Sequence, residues 1–220
     1  MSVFASNLIL DKKTLDSFVM KNQEYLVDMT YYNLPCGQAE YRLYSYMSTH
    51  FNHCTIIDIG TNDGRSAIAL AHNPANHVIS YDIEDHIHSR DYRLFSKSNT
   101  EFIIKNVLED ITPEFVATGK RGLDVVHERD VVKPIQLVMI DICHFGGVER
   151  QIMDKLYACG FRGLVLLDDI HHPDISMREP MEKMWEELHW PKWDVTHVGH
   201  WSGTGLVSML DSTLSVSVSL

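Results

Sequence analysis

A doubly wound α/β fold is predicted, with a mostly parallel seven-stranded sheet and helices on both faces. Three observations predict it. Short β-branched runs alternate with segments of helical periodicity along most of the chain. The runs are continuously apolar, the pattern of strands covered on both faces. Each run stops at a turn rich in Asp, Gly, Asn or His, and open parallel sheets bind ligands beyond those carboxyl ends.

The first 50 residues read as a helical region of mixed polar and apolar character. Residues 38–51 (QAEYRLYSYMSTHF) place Tyr41, Leu43, Tyr44 and Met47 on roughly one side at helical spacing. The sheet begins with strand 55–59 (TIIDI), a turn at 60–64 and a helix at 65–72. Strands follow at 77–83, 101–107 and 135–140. An amphipathic helix at 149–159 is closed by Gly160, and strand 163–167 comes next. A helix at 179–189 carries Pro180 in its first turn. Strands 193–198 and 205–210 complete the set of seven. The tail, STLSVSVSL, alternates at period two, which fits both an extra edge strand and a frayed end.

The 220 residues are ample for one core and short for two, so a single domain spanning 1–220 is expected. The formal net charge of −11 makes nucleic acid a poor partner. It is compatible with a divalent cation or a cationic cofactor. Four cysteines (Cys36, Cys54, Cys143, Cys159) form no C-x-x-C pair and suit a reducing compartment. No secretory leader and no membrane-spanning apolar run is read. These features point to the cytoplasm, and a homo-oligomer stays open.

The first strand ends in DIGTNDG: Asp58, Gly60, Thr61, Asn62, Asp63 and Gly64. Gly60 permits a sharp turn and a close backbone approach to a ligand. The pattern is D-x-G-x-x-x-G, without the second glycine that a dinucleotide pyrophosphate requires. The second strand ends at Asp82, about 20 residues past that turn, where an acid can accept ribose hydroxyls. Asn106 ends the third strand; it is placed to meet an adenine edge, although Asn after a strand is often simple turn chemistry.

These strand ends, in this order, resemble the class I S-adenosylmethionine-dependent methyltransferases, from about residue 38 to residue 210. The resemblance implies a Rossmann-like sheet with a late antiparallel strand, to which 193–198 and 205–210 are suited. It implies S-adenosylmethionine as cofactor, with its methionine end on Asp58, Gly60, Thr61, Asn62 and Gly64. Ribose falls to Asp82 and adenine to Asn106. Asp141, at the next strand end, borders the same crevice.

Two further strand ends are denser in polar groups. MIDICHFGG presents Asp141 and His144, and LLDDIHHP presents Asp168, Asp169, His171 and His172. Three carboxylates in one crevice repel unless a cation neutralises them, and oxygen ligands suit Mg2+. D-x-x-H followed about 25 residues later by an acidic pair is similar to the metal-dependent O-methyltransferases of the macrocin and mycinamicin type. The catechol-type enzymes show some likeness too. That likeness implies metal at Asp141, Asp168 and Asp169, with His144 as general base. The acidic pair here is Asp-Asp where Glu-Asp is common, which shortens one ligand. An imidazole, with an ordinary pKa of about 6.5, can take a proton near neutral pH.

The function so implied is methyl transfer to a hydroxyl of a small molecule, a sugar or polyol first and a catechol-like phenol second. The rival readings are a metal-independent methyltransferase whose acids cap helices, a nicotinamide-dependent oxidoreductase, and a cofactor-binding domain without catalysis. His171 and His172 are alternative bases or acceptor contacts. The pairs His86/His88 and His197/His200 read as surface or loop residues. Tyr25, Tyr31, Tyr32, Tyr41 and Tyr44, in region 1–50, form either an acceptor lid or packing over the sheet. Trp185, Trp190 and Trp193 read as packing residues.

Overall fold

The computed structural model describes residues 7–26, 28–87, 92–121 and 132–219. In chain order its elements are β1 (Asn7–Asp11), α1 (Lys12–Ser17), α2 (Pro35–Thr49), β2 (Thr55–Ile59), α3 (Arg65–Leu70) and β3 (His77–Asp82). Then come α4 (Tyr92–Phe95), β4 (Thr100–Ile104), α5 (Pro113–Thr118), β5 (Ile135–Ile140), α6 (Gly147–Ala158) and β6 (Leu164–Asp168). The last are α7 (Ile175–Glu187), β7 (Lys192–Asp194), β8 (Thr204–Ser208) and β9 (Ser215–Ser219).

Seven strands form one sheet in the order β4-β3-β2-β5-β6-β8-β7. β4, β3, β2, β5 and β6 are mutually parallel, and β8 runs antiparallel to both β6 and β7. This is the Rossmann-like sheet with a late antiparallel strand. Successive strand residues point to opposite faces, and each face has its own core. Ile56, Val78, Leu137, Met139, Leu164 and Leu206 pack on one side with α2 and α3. Ile57, Ile79, Val138, Ile140, Val165 and Val207 pack on the other with α5, α6 and α7. Each fully buried aliphatic side chain contributes about 1.5–3 kcal/mol. Burial on both faces therefore fixes these strands despite their short length.

The chain reverses its direction of winding at β2, with β3 on one side and β5 on the other. Ligand crevices form at such switch points. Here the Asp141 amide donates to the Ile59 carbonyl at 2.9 Å, joining the two strand ends that border the crevice.

Several elements differ from the sequence reading. Among the described residues, region 1–50 is only partly helical: β1 precedes α1, and a 3-10 turn at Gln23–Tyr25 lies between α1 and α2. The tail forms β9 and pairs in parallel with β1, not with the edge of the large sheet. α7 starts a turn earlier than expected, because Asp174 accepts from the Ser176 amide and caps it. Pro180 therefore sits inside the helix instead of in its first turn. Strand 193–198 shortens to β7, since the Asp194 side chain accepts from the Thr196 amide at 3.0 Å and bends the chain into a 3-10 turn. Asn106 likewise ends the predicted strand 101–107 early, by capping a 3-10 turn at Val107–Glu109. Among the described residues no helix is long and apolar enough to cross a membrane.

Candidate active site

The glycine turn after β2 is held against the end of β3. The Gly60 and Thr61 amides both donate to the Tyr81 carbonyl, at 2.8 and 3.2 Å. Gly60 has φ +102°, and a Cβ there would lie 1.7 Å from the Asp141 carbonyl oxygen, so only glycine fits. The Asp82 carboxylate accepts from the Asn62 amide at 3.0 Å and from the Glu84 amide at 3.1 Å. It thereby ties the turn to the segment leaving β3.

Beyond this turn lies a cavity of about 580 Å³. Gly60, Asn62, Asp82, Asn106, Asp141 and His144 all line it, with apolar walls from Ile83, Val107, Ile142, Val148 and Ile152. The cavity thus brings together most of the predicted cofactor residues. Asp58 and Thr61 lie under the turn instead. The buried Asp58 carboxylate accepts from Ser66 and Ser80 hydroxyls at 3.0 and 2.7 Å, and Thr61 Oγ1 shares a 2.7 Å hydrogen bond with Ser80. Burial pushes Asp58 up to about 7, against the lowering effect of its two serine donors. Gly64, at φ +75°, turns the chain into α3.

The acidic residues gather at the adjoining strand ends. His144 Nε2 stands 3.6 Å from Asp141 Oδ1 and 3.5 Å from Asp169 Oδ2. Its ring stacks on His172, with centroids 5.5 Å apart. The His144 amide donates to the buried Glu149 carboxylate at 2.8 Å, which fixes the loop before α6. His171 turns away, toward Asp194 at 2.8 Å and Glu182 at 3.4 Å. His172 keeps 3.7 Å to Asp169. Of the loop histidines, His86 borders the cavity, His197 Nε2 contacts the Leu10 carbonyl, and His88 lies outside the described residues.

Two members of this cluster were not foreseen. His200, read as a loop residue, places Nδ1 3.2 Å from Asp168 Oδ2 and 3.4 Å from Asp169 Oδ1. Glu40, on α2, is buried; it accepts from the Tyr31 hydroxyl at 3.2 Å and lies 4.0 Å from His200 Nε2. A signal for Glu40 existed: it stands four residues before Tyr44 and seven before Met47, on the buried stripe of α2. For His200 the signal was the sequence GHWSG ahead of a strand. That strand is antiparallel, so its beginning, not its end, reaches the edge of the sheet that carries the site.

Electrostatics reflect the crowding. Burial, then the charge of Asp168, raises Glu40 to about 8. Burial and the neighbouring carboxylates Asp168 and Glu40 hold Asp141 well above the ordinary range, although 36% of its side chain is exposed. Burial raises Asp168 too, against the hydrogen bond from His200. Burial acts the same way on Asp169, but the donors His200 and Ser202 outweigh it and hold that acid low. Burial alone would lower His200; its bonds to Asp168 and Asp169 prevail and push it up to about 11.

Does a metal fit? One donor atom from each of Asp168, Asp169 and His200 lies within 4.8 Å of the others. Asp168 Oδ1 is buried without a hydrogen-bond partner among the described residues. The donor chemistry and the orphaned oxygen both suit a divalent cation. Asp141, predicted as the third ligand, is not in this compact group; its Oδ1 stands 3.6 Å from His144 Nε2.

No protein-family model matches the sequence, and no curated protein does either. Similarity to solved structures is clear in the fold. Cofactor-bound Rv0187 from MTB superposes with a TM-score of 0.56 at 15% identity, over 91% of this chain and 88% of that one. An SAH-bound methyltransferase from Podospora anserina gives 0.55 at 11% identity, over 90% and 95%. A Staphylococcus aureus structure provisionally named a caffeoyl-CoA O-methyltransferase gives 0.52 at 15% identity, over 76% and 82%. At these identities the likeness establishes the fold.

Proposed function

We propose that this chain is an S-adenosylmethionine-dependent methyltransferase that acts on a hydroxyl of a small molecule with the help of a divalent metal. One observation carries the reading: a single cavity is lined both by Gly60, Asn62, Asp82 and Asn106 and by Asp141 and His144. Cofactor groove and proton-accepting group therefore share a wall. The names of the structures similar in fold, one bound to SAH and one provisionally an O-methyltransferase, support the same cofactor and chemistry.

When bound, the sulfonium supplies an already activated methyl group, and a metal lowers the pKa of a coordinated hydroxyl. The chain's own residues do the rest. Gly60 lets the backbone approach the cofactor. Asp82 exchanges its backbone donors for ribose hydroxyls. Ile83, Val107 and Ile142 offer apolar walls to an adenine ring. His144 takes the hydroxyl proton at Nε2 as the acceptor oxygen gains the methyl group. Asp141 and Asp169 flank that nitrogen, and Asp169, the acid that its donors hold low, stabilises the imidazolium. Holding the acceptor in line is the larger contribution. A sugar or polyol hydroxyl remains the preferred acceptor.

Calorimetry with S-adenosylmethionine, S-adenosylhomocysteine and NAD tests the cofactor. Binding of the first two without NAD is expected; NAD alone binding would sink the reading. A chelator is expected to abolish turnover while leaving cofactor affinity nearly intact, because other strand ends hold the cofactor. The His200 imidazole, set between Asp168 and Asp169, favours a second reading in which it is the built-in cation and no metal is needed. Full turnover in chelator selects that reading.

A further inference from the structure

We propose that His200 is a metal ligand through Nδ1, in the place foreseen for Asp141, and that Glu40 holds this imidazole from its Nε2 side. The inference rests on the metal reading above and names its coordination.

The convergence is specific. His200 Nδ1 faces Asp168 Oδ2 at 3.2 Å, Asp169 Oδ1 at 3.4 Å and Ser202 Oγ at 2.6 Å. Ser202 also donates to Asp169 Oδ1. Asp168 Oδ1 is buried without a hydrogen-bond partner among the described residues, an acceptor that a cation bound by this group would satisfy. Asp141 lies at the cavity wall, 3.6 Å from His144 Nε2, and outside the compact group.

The loop that carries His200 is built to hold one conformation. A Cβ at Gly199 would lie 2.4 Å from Thr204 Oγ1, and one at Gly203, φ +111°, would lie 2.5 Å from the His171 amide nitrogen. The His200 amide donates to Thr204 Oγ1 at 2.7 Å, and its carbonyl accepts from the Gly203 amide at 3.0 Å. Thr204 pairs with Asp168 across β6 and β8, which fixes the loop at the level of the acids. Tyr31 and Trp201 meet the imidazole edge-on, at 6.2 and 5.7 Å between centroids.

Glu40 completes the arrangement. Its buried carboxylate stands 4.0 Å from Nε2 and is itself held by the Tyr31 hydroxyl. Metal-bound histidines characteristically give their second N–H to a carboxylate, which fixes tautomer and orientation. α2 would thus tie the region before the sheet to the metal. A set of two carboxylates and one imidazole suits Mn2+, Fe2+, Co2+ or Zn2+ better than Mg2+, which prefers oxygen throughout.

The test is pulsed electron paramagnetic resonance of the full chain loaded with Mn2+, with Mn2+ affinity read by calorimetry. Nitrogen coupling to the metal is expected in the wild type and in His144→Gln and His172→Gln, and absent in His200→Gln. Glu40→Gln is expected to keep the coupling while Mn2+ affinity falls about 10–100-fold. Bound Mn2+ without nitrogen coupling, or coupling that survives His200→Gln, overturns the ligand assignment and leaves the metal reading standing. No Mn2+ binding at all overturns the metal reading and this inference with it. Should His200→Gln fail to fold, His200→Asn takes its place, and a wild-type spectrum without nitrogen coupling overturns the ligand assignment by itself.

Discussion

Asn62, His144 and Asp169 have positive φ, at 41°, 56° and 57°; the first two line the cavity, and Asp169 stands beside His144. Asn, Asp and His tolerate that region best among non-glycine residues, yet each still carries strain that persists only where the surroundings over-determine it. At His144 the Glu149 carboxylate supplies the determination, by accepting from its amide. The backbone is thus committed to presenting the imidazole between Asp141 and Asp169. Replacing His144 by Ala should lower turnover about 10²–10⁴-fold, the usual scale of a general base, with cofactor and metal affinity kept. Normal turnover in that variant would move the base to His172 or to water. Asp58 makes a different prediction. Its folded-state pKa of about 7 lies above the ordinary 3.8. Between those values the native state holds a proton that the unfolded state has released, so the stabilisation is full below the lower value and is lost as pH rises toward 7. Asp58→Asn should remove this loss. Urea unfolding across pH 4–7 should show a less negative slope of stability against pH in the variant. An unchanged slope would place the titration elsewhere.

At the scale of elements, the pairing of β1 with β9 joins residues from the two ends of the chain. Leu8 and Leu10 of β1 are fully buried, and Leu214 and Val216 from the tail pack into the same core. β1 pairs with no other strand among the described residues. Deleting residues 211–220 would therefore leave its backbone without the ladder. We expect amide exchange over residues 7–11 to speed up at least about tenfold and the thermal midpoint to fall, with S-adenosylhomocysteine affinity unchanged. Exchange as slow as in the full chain would show that core packing alone holds β1. The period-two pattern made the strand legible but named no partner, because alternation specifies a face and not a neighbour. Boundaries failed where a side chain competed with the backbone: Asp174 lengthened α7, while Asn106 and Asp194 cut strands short. Such caps act through one hydrogen bond each and are weak against periodicity in a sequence.

At the scale of the molecule, the amino-acid sequence by itself determined the layered fold, the order of its seven strands along the chain and the edge where their polar ends gather. Two-sided apolar runs can satisfy their burial only in a covered sheet, and a parallel sheet delivers every strand end to the same edge. Gly60, Asp82, Asn106, Asp141 and His144 were legible for that reason, and the structure sets them around one cavity. The tertiary structure alone decided the composition of the acidic cluster. His200 enters from the start of an antiparallel strand, and Glu40 from α2, whose Leu43, Tyr44 and Met47 share a core with one face of the sheet. Neither follows from the rule that ligands lie beyond carboxyl ends. Their placement depends on which strand lies beside β6 and on how α2 packs, and those are facts of packing. A strand's own residues set where its polar end falls, but only contacts between distant segments set which charges meet there, because electrostatic partnership follows distance in space and not position along the chain.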